Sequence, residues 1–98
     1  MDIWAAGIVL FIMIVGLPPF EWASDDDPRY SLICRGGLEQ LVQQWQRPIS
    51  PEAVDLLQRM LKENPRERLS LIEIMHHPWV TEESVNPLDS HQVNDWRA

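Results

Sequence analysis

The sequence predicts an all-α fold, and three observations lead to this prediction. Apolar residues recur at helical spacing in several separate segments. Prolines, glycines and residues that can cap a helix separate these segments. No segment shows the sustained alternation of apolar and polar residues that a half-buried strand requires. The predicted helices cover residues 3–15, 29–35, 38–45, 51–63 and 71–76.

The first predicted helix, residues 3–15, is apolar on every face, and Pro18 and Pro19 prevent its continuation. At about 1.5 Å per residue it spans roughly 20 Å, less than the ~30 Å hydrocarbon core of a membrane. Asp2 also differs from the basic start of a secretory signal. We therefore predict a helix buried in a larger core, and we expect this chain to be a fragment because no earlier residues could wrap the helix.

Local signals define the ends of the shorter helices. Asp27 is a candidate N-cap for the second helix, which residues 36–37 (Gly-Gly) end. Ser50 starts the fourth helix, whose apolar positions form one face. Ser70 and Glu73 have the spacing of a capping box for the last predicted helix.

Composition and charge restrict the partners. Fifteen acidic against 8 basic residues give a formal net charge of -7. Nucleic acids and anionic membrane surfaces both require an excess of Lys and Arg, so we predict neither as a partner. The single cysteine, Cys34, cannot form an internal disulfide or a zinc cage. We therefore expect an intracellular, cytoplasmic location.

Three groups of residues could carry chemistry, and each has a structural interpretation. Residues 25–27 (Asp-Asp-Asp) lack the alternate ligand spacing and the distal Glu of a calcium loop, which favours a helix cap. His76 and His77 are adjacent, so on a helix they point about 100° apart, and we place them at a helix C-terminus. Cys34 has apolar neighbours and is expected in the core. We predict no catalytic, cofactor-binding or metal-binding residue in this chain.

Arg66 and Arg68 lie between two helices whose apolar faces should converge. In one interpretation an Arg at this place is buried against a carboxylate. In the other, both side chains are solvated and pair locally with Glu63 or Glu67. The residues alone leave both interpretations open.

Several motifs, taken together and in order, resemble the large lobe of eukaryotic protein kinases. They are residues 2–8 (Asp-Ile-Trp-Ala-Ala-Gly-Ile), 16–20 (Gly-Leu-Pro-Pro-Phe), 50–57 (Ser-Pro-Glu-Ala-Val-Asp-Leu-Leu), 64–68 (Asn-Pro-Arg-Glu-Arg) and 77–79 (His-Pro-Trp). The resemblance is to serine/threonine kinases of the calmodulin-dependent kinase-like group. It implies the C-terminal helical subdomain of the large lobe.

The resemblance also implies structural roles for four residues. Asp2 matches the helix-start aspartate that accepts N–H bonds from the catalytic loop, and Arg68 matches the arginine that pairs with the glutamate of the Ala-Pro-Glu motif. Trp4 and Gly7 belong to the same helix motif as Asp2. The family's Gly-rich loop, strand lysine, His-Arg-Asp loop and Asp-Phe-Gly motif, which bind ATP and magnesium, are not among these 98 residues.

We expect residues 1–80 to be the C-terminal segment of a kinase domain and residues 81–98 to be a loose polar tail. In one hypothesis the whole protein is a serine/threonine kinase, and this chain, inactive alone, pairs with the upstream half of the domain. In the other, the chain is a non-catalytic helical docking module for a substrate or regulator. Its docking surface would be Trp22, Arg29 and Tyr30, although Trp22 also fits local packing. We expect the isolated chain to self-associate through its first helix.

Overall fold

The computed structural model describes residues 2–84, and this part of the chain contains helices and no strand. The predicted all-α fold is therefore confirmed. The elements are α1 (Ile3–Val15), α2 (Pro28–Cys34), α3 (Leu38–Gln44), α4 (Pro51–Met60), a 3₁₀ helix (Pro65–Glu67), α5 (Leu71–Met75) and α6 (Pro78–Ser84).

The longest helix, α1, has a defined cap at each end. Asp2 accepts the Ala5 N–H at 3.0 Å, which satisfies one of the free amides of the first turn. Gly16 adopts the left-handed conformation at φ 91°, and its N–H donates to the Ile12 carbonyl at 2.8 Å. The predicted bounds of α1 are thus confirmed by cap geometry.

The core lies where α1 packs on α4, α2 on α3, and α3 on α4. The buried cluster comprises Phe11, Val15, Ile33, Leu38, Leu41, Val42, Leu57 and Leu61. The Phe11 ring also meets the Trp45 ring edge-on, with the centroids 6.1 Å apart. Residues from α1, α2, α3 and α4 therefore share one hydrophobic core, and α6 packs on α4 and α5 beside it.

Gly7 sets how closely α1 approaches α4. A Cβ atom at this position would lie 2.9 Å from Leu61 Cδ2 and 3.1 Å from Met60 Cβ. Both separations are shorter than ordinary van der Waals contact between carbon atoms. The glycine of the first motif is therefore required by the packing of two helices.

Gln58 on α4 joins the turn between α2 and α3 to the core. Its Nε2 donates to the Ile33 carbonyl at 2.9 Å, and its Oε1 accepts the Leu38 N–H at 2.9 Å. The turn itself needs Gly36, whose φ is 87°. One side chain thus binds the end of α2 and the start of α3.

The helix predicted over residues 51–63 was too long, because α4 ends at Met60. Beyond this point the carbonyls of Lys62 and Glu63 turn toward Arg68, which donates to both. Helices α2, α3 and α5 each end one residue earlier than predicted, and α2 also begins one residue earlier.

The final helix, α6, is not among the helices that the sequence predicted. Pro78 occupies the first position of α6, where its missing N–H costs nothing. Residues 81–84, predicted as tail, are therefore helical. The rest of the predicted tail, residues 85–98, lies outside the described residues.

Candidate functional site

Arg68 and Trp4, two of the residues with implied structural roles, lie in contact. The Arg68 guanidinium carbon is 5.0 Å from the centroid of the Trp4 ring, an attractive cation–π geometry. Arg68 Nε donates to the Lys62 carbonyl at 2.7 Å, and Nη2 donates to the Glu63 carbonyl at 3.1 Å. Arg68 is half-buried against backbone carbonyls and an indole face, and it bonds to the Glu63 carbonyl instead of to the Glu63 or Glu67 carboxylate. Its pairing with the glutamate of the Ala-Pro-Glu motif stays a prediction. Arg66, in contrast, is exposed.

Trp4, Phe20 and Tyr30 form an aromatic cluster beside Arg68. The Phe20 and Tyr30 rings meet edge-to-face with centroids 5.2 Å apart, and Trp4 lies 6.0 Å from each of them. The cluster joins the first turn of α1 to the loop that follows α1 and to α2. Tyr30, named in the predicted docking surface, is thus half-buried in this packing.

Tyr30 also pairs with Cys34 one turn later on α2. The hydrogen bond with Cys34, together with burial, raises the pKa of Tyr30 to about 12. Burial raises the pKa of the Cys34 thiol as well. Because the thiolate is the reactive form of cysteine, Cys34 is a poor nucleophile at neutral pH.

Asp27 is the N-cap of α2 and also organises the loop before it. Its side chain is 4% exposed and accepts the N–H groups of Glu21 at 2.8 Å, Trp22 at 3.2 Å and Arg29 at 2.9 Å. The Arg29 Nε lies 3.3 Å from the carboxylate. Burial favours a raised pKa, but these donors outweigh it and hold the pKa of Asp27 well below its usual range. The Asp27 oxygens are therefore occupied by protein donors.

Trp22 and Arg29, the other two predicted docking residues, line one open cavity of about 450 Å³. The Trp22 side chain is 71% exposed, and its backbone is fixed by Asp27. Arg29 is held by the same carboxylate. Tyr30 does not line this cavity. The structure therefore brings together two of the three predicted docking residues, Arg29 and Trp22, and the indole of Trp22 is exposed.

His77 joins the end of α5 to α4 and α6. Its Nε2 lies 2.7 Å from Asp55 Oδ2, and its Nδ1 accepts the Trp79 N–H at 3.1 Å. Since a backbone N–H can only donate, Nδ1 is the unprotonated nitrogen and Nε2–H donates to Asp55. Both histidines lie at the C-terminal end of α5, as the sequence predicts: His76 is its C-cap, and the His77 N–H donates to the Ile74 carbonyl at 3.1 Å. The His77 side chain in addition caps the start of α6, and His76 Nδ1 is 2.8 Å from the Ile72 carbonyl.

Asp55 receives hydrogen bonds from two sides. Arg59 Nε donates to its carboxylate at 3.0 Å, and His77 donates from the other side. Burial of Asp55 opposes ionisation, but these two donors outweigh it and lower its pKa. Asp55, Arg59 and His77 together link α4 to the start of α6.

Two further properties of residues 2–84 concern ligands and membranes. No group of three or more His, Cys, Asp or Glu side chains there could hold a metal ion. None of the helices described, α1 included, is both long and apolar enough to cross a membrane.

One face of α1 carries large apolar side chains that the described residues leave exposed. Val9 is 57% exposed, Ile12 40% and Met13 75%. Their spacing places them side by side on the helix. We call these three residues the α1 face.

Residues 1–80 match the family model described as "Protein kinase domain". The chain belongs to the protein kinase domain family. Calcium-dependent protein kinase 15 of Oryza sativa subsp. japonica is 41% identical over 86 residues, which are 88% of this chain and 16% of the relative. Calcium-dependent protein kinase SK5 of Glycine max is 38% identical over 92 residues, which are 91% of this chain and 18% of the relative. The chain thus covers under a fifth of these kinases.

Solved structures give the same assignment. The structure "Crystal structure of Rad53 kinase domain and SCD2" is similar to this chain with a TM-score of 0.60 and 29% identity, over 81% of this chain and 30% of that chain. Its counterpart in complex with AMPPNP has a TM-score of 0.62 and 28% identity, over 89% of this chain and 33% of that chain. The chain is therefore a fragment of a protein kinase domain, as its motifs indicated.

Sequence reasoning missed three structural features that organise this region. Gln58 has an ordinary polar position on α4, and nothing local marks its two distant partners. Asp55 and His77 are 22 residues apart in the chain, so their contact depends on the fold. The second role of Asp27, on the loop before it, gives no signal beyond its capping position. The start of α6 after His77 could have been predicted, because proline is common at the first position of a helix.

Proposed function

We propose that the whole protein is a serine/threonine kinase, in which this chain is a structural segment of the large lobe. The reaction is transfer of a phosphoryl group from ATP, with magnesium, to Ser or Thr of a protein. The observation that supports this proposal is the α1 face, three exposed apolar side chains on a helix that carries the family's motif. Such a helix needs further protein against it.

The described residues do not fit ATP and magnesium themselves. Phosphoryl transfer needs carboxylate or amide ligands for the metal and a cradle for the phosphates. Residues 2–84 contain no cluster of metal-ligating side chains, and the sequence contains none of the family's nucleotide motifs. The role of this chain in the reaction is therefore to support other parts of the domain.

The proposed partner of the α1 face is the upstream half of the kinase domain. Fully burying a large apolar side chain contributes about 1.5–3 kcal/mol, and each of these three is already partly covered. Covering the rest contributes a few kcal/mol in total, compared with a net stability of about 5–15 kcal/mol for a domain. The free energy that is lost without this cover is therefore a large fraction of the stability of the domain.

A segment exchange tests the proposal. In rice calcium-dependent protein kinase 15, the matched segment is replaced by that of this chain, and phosphorylation of a Ser/Thr peptide is measured. We expect an active kinase. Met13→Glu, on the α1 face, should abolish soluble active kinase, whereas Met75→Glu, the same change at an exposed position on α5, should not. A folded but inactive chimera, or equal effects of the two variants, would contradict the proposal.

The exposed Trp22 favours a docking role for the cavity that it lines with Arg29. We propose that this surface receives a protein substrate or regulator of the whole kinase. In the active chimera, Trp22→Ser should raise the KM for a protein substrate and leave the KM for ATP unchanged. No change in either KM would exclude substrate docking at Trp22.

We also propose an intracellular location for the whole protein. The free, half-buried Cys34 supports this, because unpaired cysteines persist in reducing compartments. Fractionation of cells that express the whole protein tests the location, and recovery from the secreted medium would contradict it.

A further inference from the structure

The His77 ring uses both of its nitrogens, and each nitrogen bonds to a different helix. Nε2 lies 2.7 Å from Asp55 Oδ2 on α4, and Nδ1 accepts the Trp79 N–H of α6 at 3.1 Å. The His77 side chain is only 6% exposed, so little water reaches either nitrogen. Because a backbone N–H can only donate, this pair of bonds requires a neutral ring that carries its proton on Nε2. The observed contacts therefore belong to one protonation state of His77.

Protonation of His77 affects its two partners in opposite ways. Imidazole is the side chain that ordinarily changes its charge between pH 5 and 8. A proton on Nδ1 converts the acceptor of the Trp79 N–H into a second donor, so this hydrogen bond is lost. The same proton makes the ring positive, which strengthens its hydrogen bond to the Asp55 carboxylate. Acid thus removes the side-chain bond to α6 and retains the bond to α4.

The start of α6 depends on the bond that acid removes. Pro78 has no N–H, so the Trp79 N–H is the first amide of the helix, where α6 itself offers no acceptor. The His77 carbonyl accepts the next two amides, those of Val80 at 2.9 Å and Thr81 at 3.0 Å. A helix of seven residues is too short to be stable alone and relies on its caps and its packing on α4 and α5. Loss of the side-chain cap therefore weakens α6 at its first turn.

The charged groups around the imidazole lie on α4 and α5. On α4, Asp55 attracts a positive charge on the ring, whereas Arg59, bound to the same carboxylate, repels it. On α5, Glu73 and His76 each bond to the backbone of their own helix or its cap. On α6, residues 78–81 carry no side chain that titrates. The charge of the ring is therefore influenced from α4, and the structural consequence falls on α6.

We propose that His77 is an acid-sensitive cap of α6: the neutral ring holds the start of this helix, and the protonated ring releases it. Helix α6 begins at Pro78 and continues past residue 80, where the match to the kinase-domain family model ends. Acid thus loosens the last described helix of the kinase-domain segment. The contact between His77 and Asp55, which joins the end of α5 to α4, is kept.

Hydrogen exchange of the Trp79 amide in the 98-residue chain, measured by NMR at pH 7.5 and pH 5, tests the proposal. Rates are corrected for the pH dependence of chemical exchange and compared with the Leu57 amide in the buried part of α4, which reports unfolding of the core. We expect Trp79 to exchange about 2- to 30-fold faster at pH 5, the effect of losing one helix cap, and Leu57 to change much less.

Two substitutions separate the two functions of the ring. His77→Asn keeps an acceptor at the place of Nδ1 and does not titrate, so the Trp79 amide should stay protected at both pH values. His77→Gln keeps a donor for Asp55 but has no acceptor at the place of Nδ1, so this amide should exchange fast at both pH values. His76→Gln, at the exposed neighbouring histidine, is the matched control and should keep the pH response of the original chain.

Equal protection of Trp79 at both pH values, or a pH response that persists in His77→Asn, would overturn the proposal. A parallel change of the Leu57 amide would overturn it as well, because the opening would then involve the whole core. The ¹⁵N chemical shifts of the His77 ring give a second measurement that needs no variant. We expect Nε2 to carry the proton at pH 7.5 and both nitrogens to carry one at pH 5, and a proton on Nδ1 at pH 7.5 would contradict the cap.

Discussion

Replacing Gln58 by Ala removes the side chain that binds the end of α2 and the start of α3. The Ile33 carbonyl keeps a donor, since the Gly36 N–H also reaches it at 3.0 Å. The Leu38 N–H has no such alternative within its helix, because it lies in the first turn of α3. Leu38 is fully buried, so its amide is shielded from water. Leaving a buried donor unsatisfied costs about 1–3 kcal/mol.

This cost predicts that the Leu38 amide exchanges with solvent about 5- to 150-fold faster in Gln58→Ala. Residue-resolved hydrogen exchange measures it directly. Gln58→Glu keeps an acceptor for Leu38 and loses the donor to Ile33, so the Leu38 amide should stay protected. Gln43→Ala, at an exposed position on α3, is the control and should have little effect. Unchanged exchange of Leu38 in Gln58→Ala would refute the assigned hydrogen bond.

Three further outcomes follow from the site. The pKa of Asp55 is lowered in the folded state, so its carboxylate stabilises the fold at a pH above 3.8, the ordinary pKa of Asp. This contribution is lost as the pH falls through the lower folded pKa, so the midpoint of thermal unfolding should drop in acid. Asp55→Asn should make the midpoint depend less on pH. The raised pKa of Cys34 should make its alkylation by iodoacetamide at pH 7.5 slower than that of the unfolded chain, and equal rates would contradict the raised pKa of this half-buried thiol. The isolated chain should neither bind ATP-magnesium in a calorimetric titration nor phosphorylate protein, and micromolar binding would contradict that expectation.

Local signals were sufficient for most of the helices. The predicted caps at Asp27, Ser50 and Ser70 each depend on residues within a few positions, and each side chain accepts a backbone N–H of the first turn. The fold class followed from the same signals. The family followed from motifs whose order along the chain is itself visible in the sequence.

Contacts between distant residues could not be predicted in the same way. Arg68 contacts two carbonyls after the end of α4 and the Trp4 ring on α1, and the sequence predicted neither contact. Such partners depend on how helices pack, and no local pattern records them.

The α1 face is the proposed contact surface for the upstream half of a kinase domain. Sedimentation of the 11.4 kDa chain alone, and mixed with the part of the rice kinase domain that precedes the matched segment, tests it most directly. We expect the chain alone to self-associate and unfold broadly, and the mixture to give a one-to-one complex. Met13→Glu should prevent both associations. A well-folded monomer with a sharp thermal transition, indifferent to the upstream half, would contradict the claim.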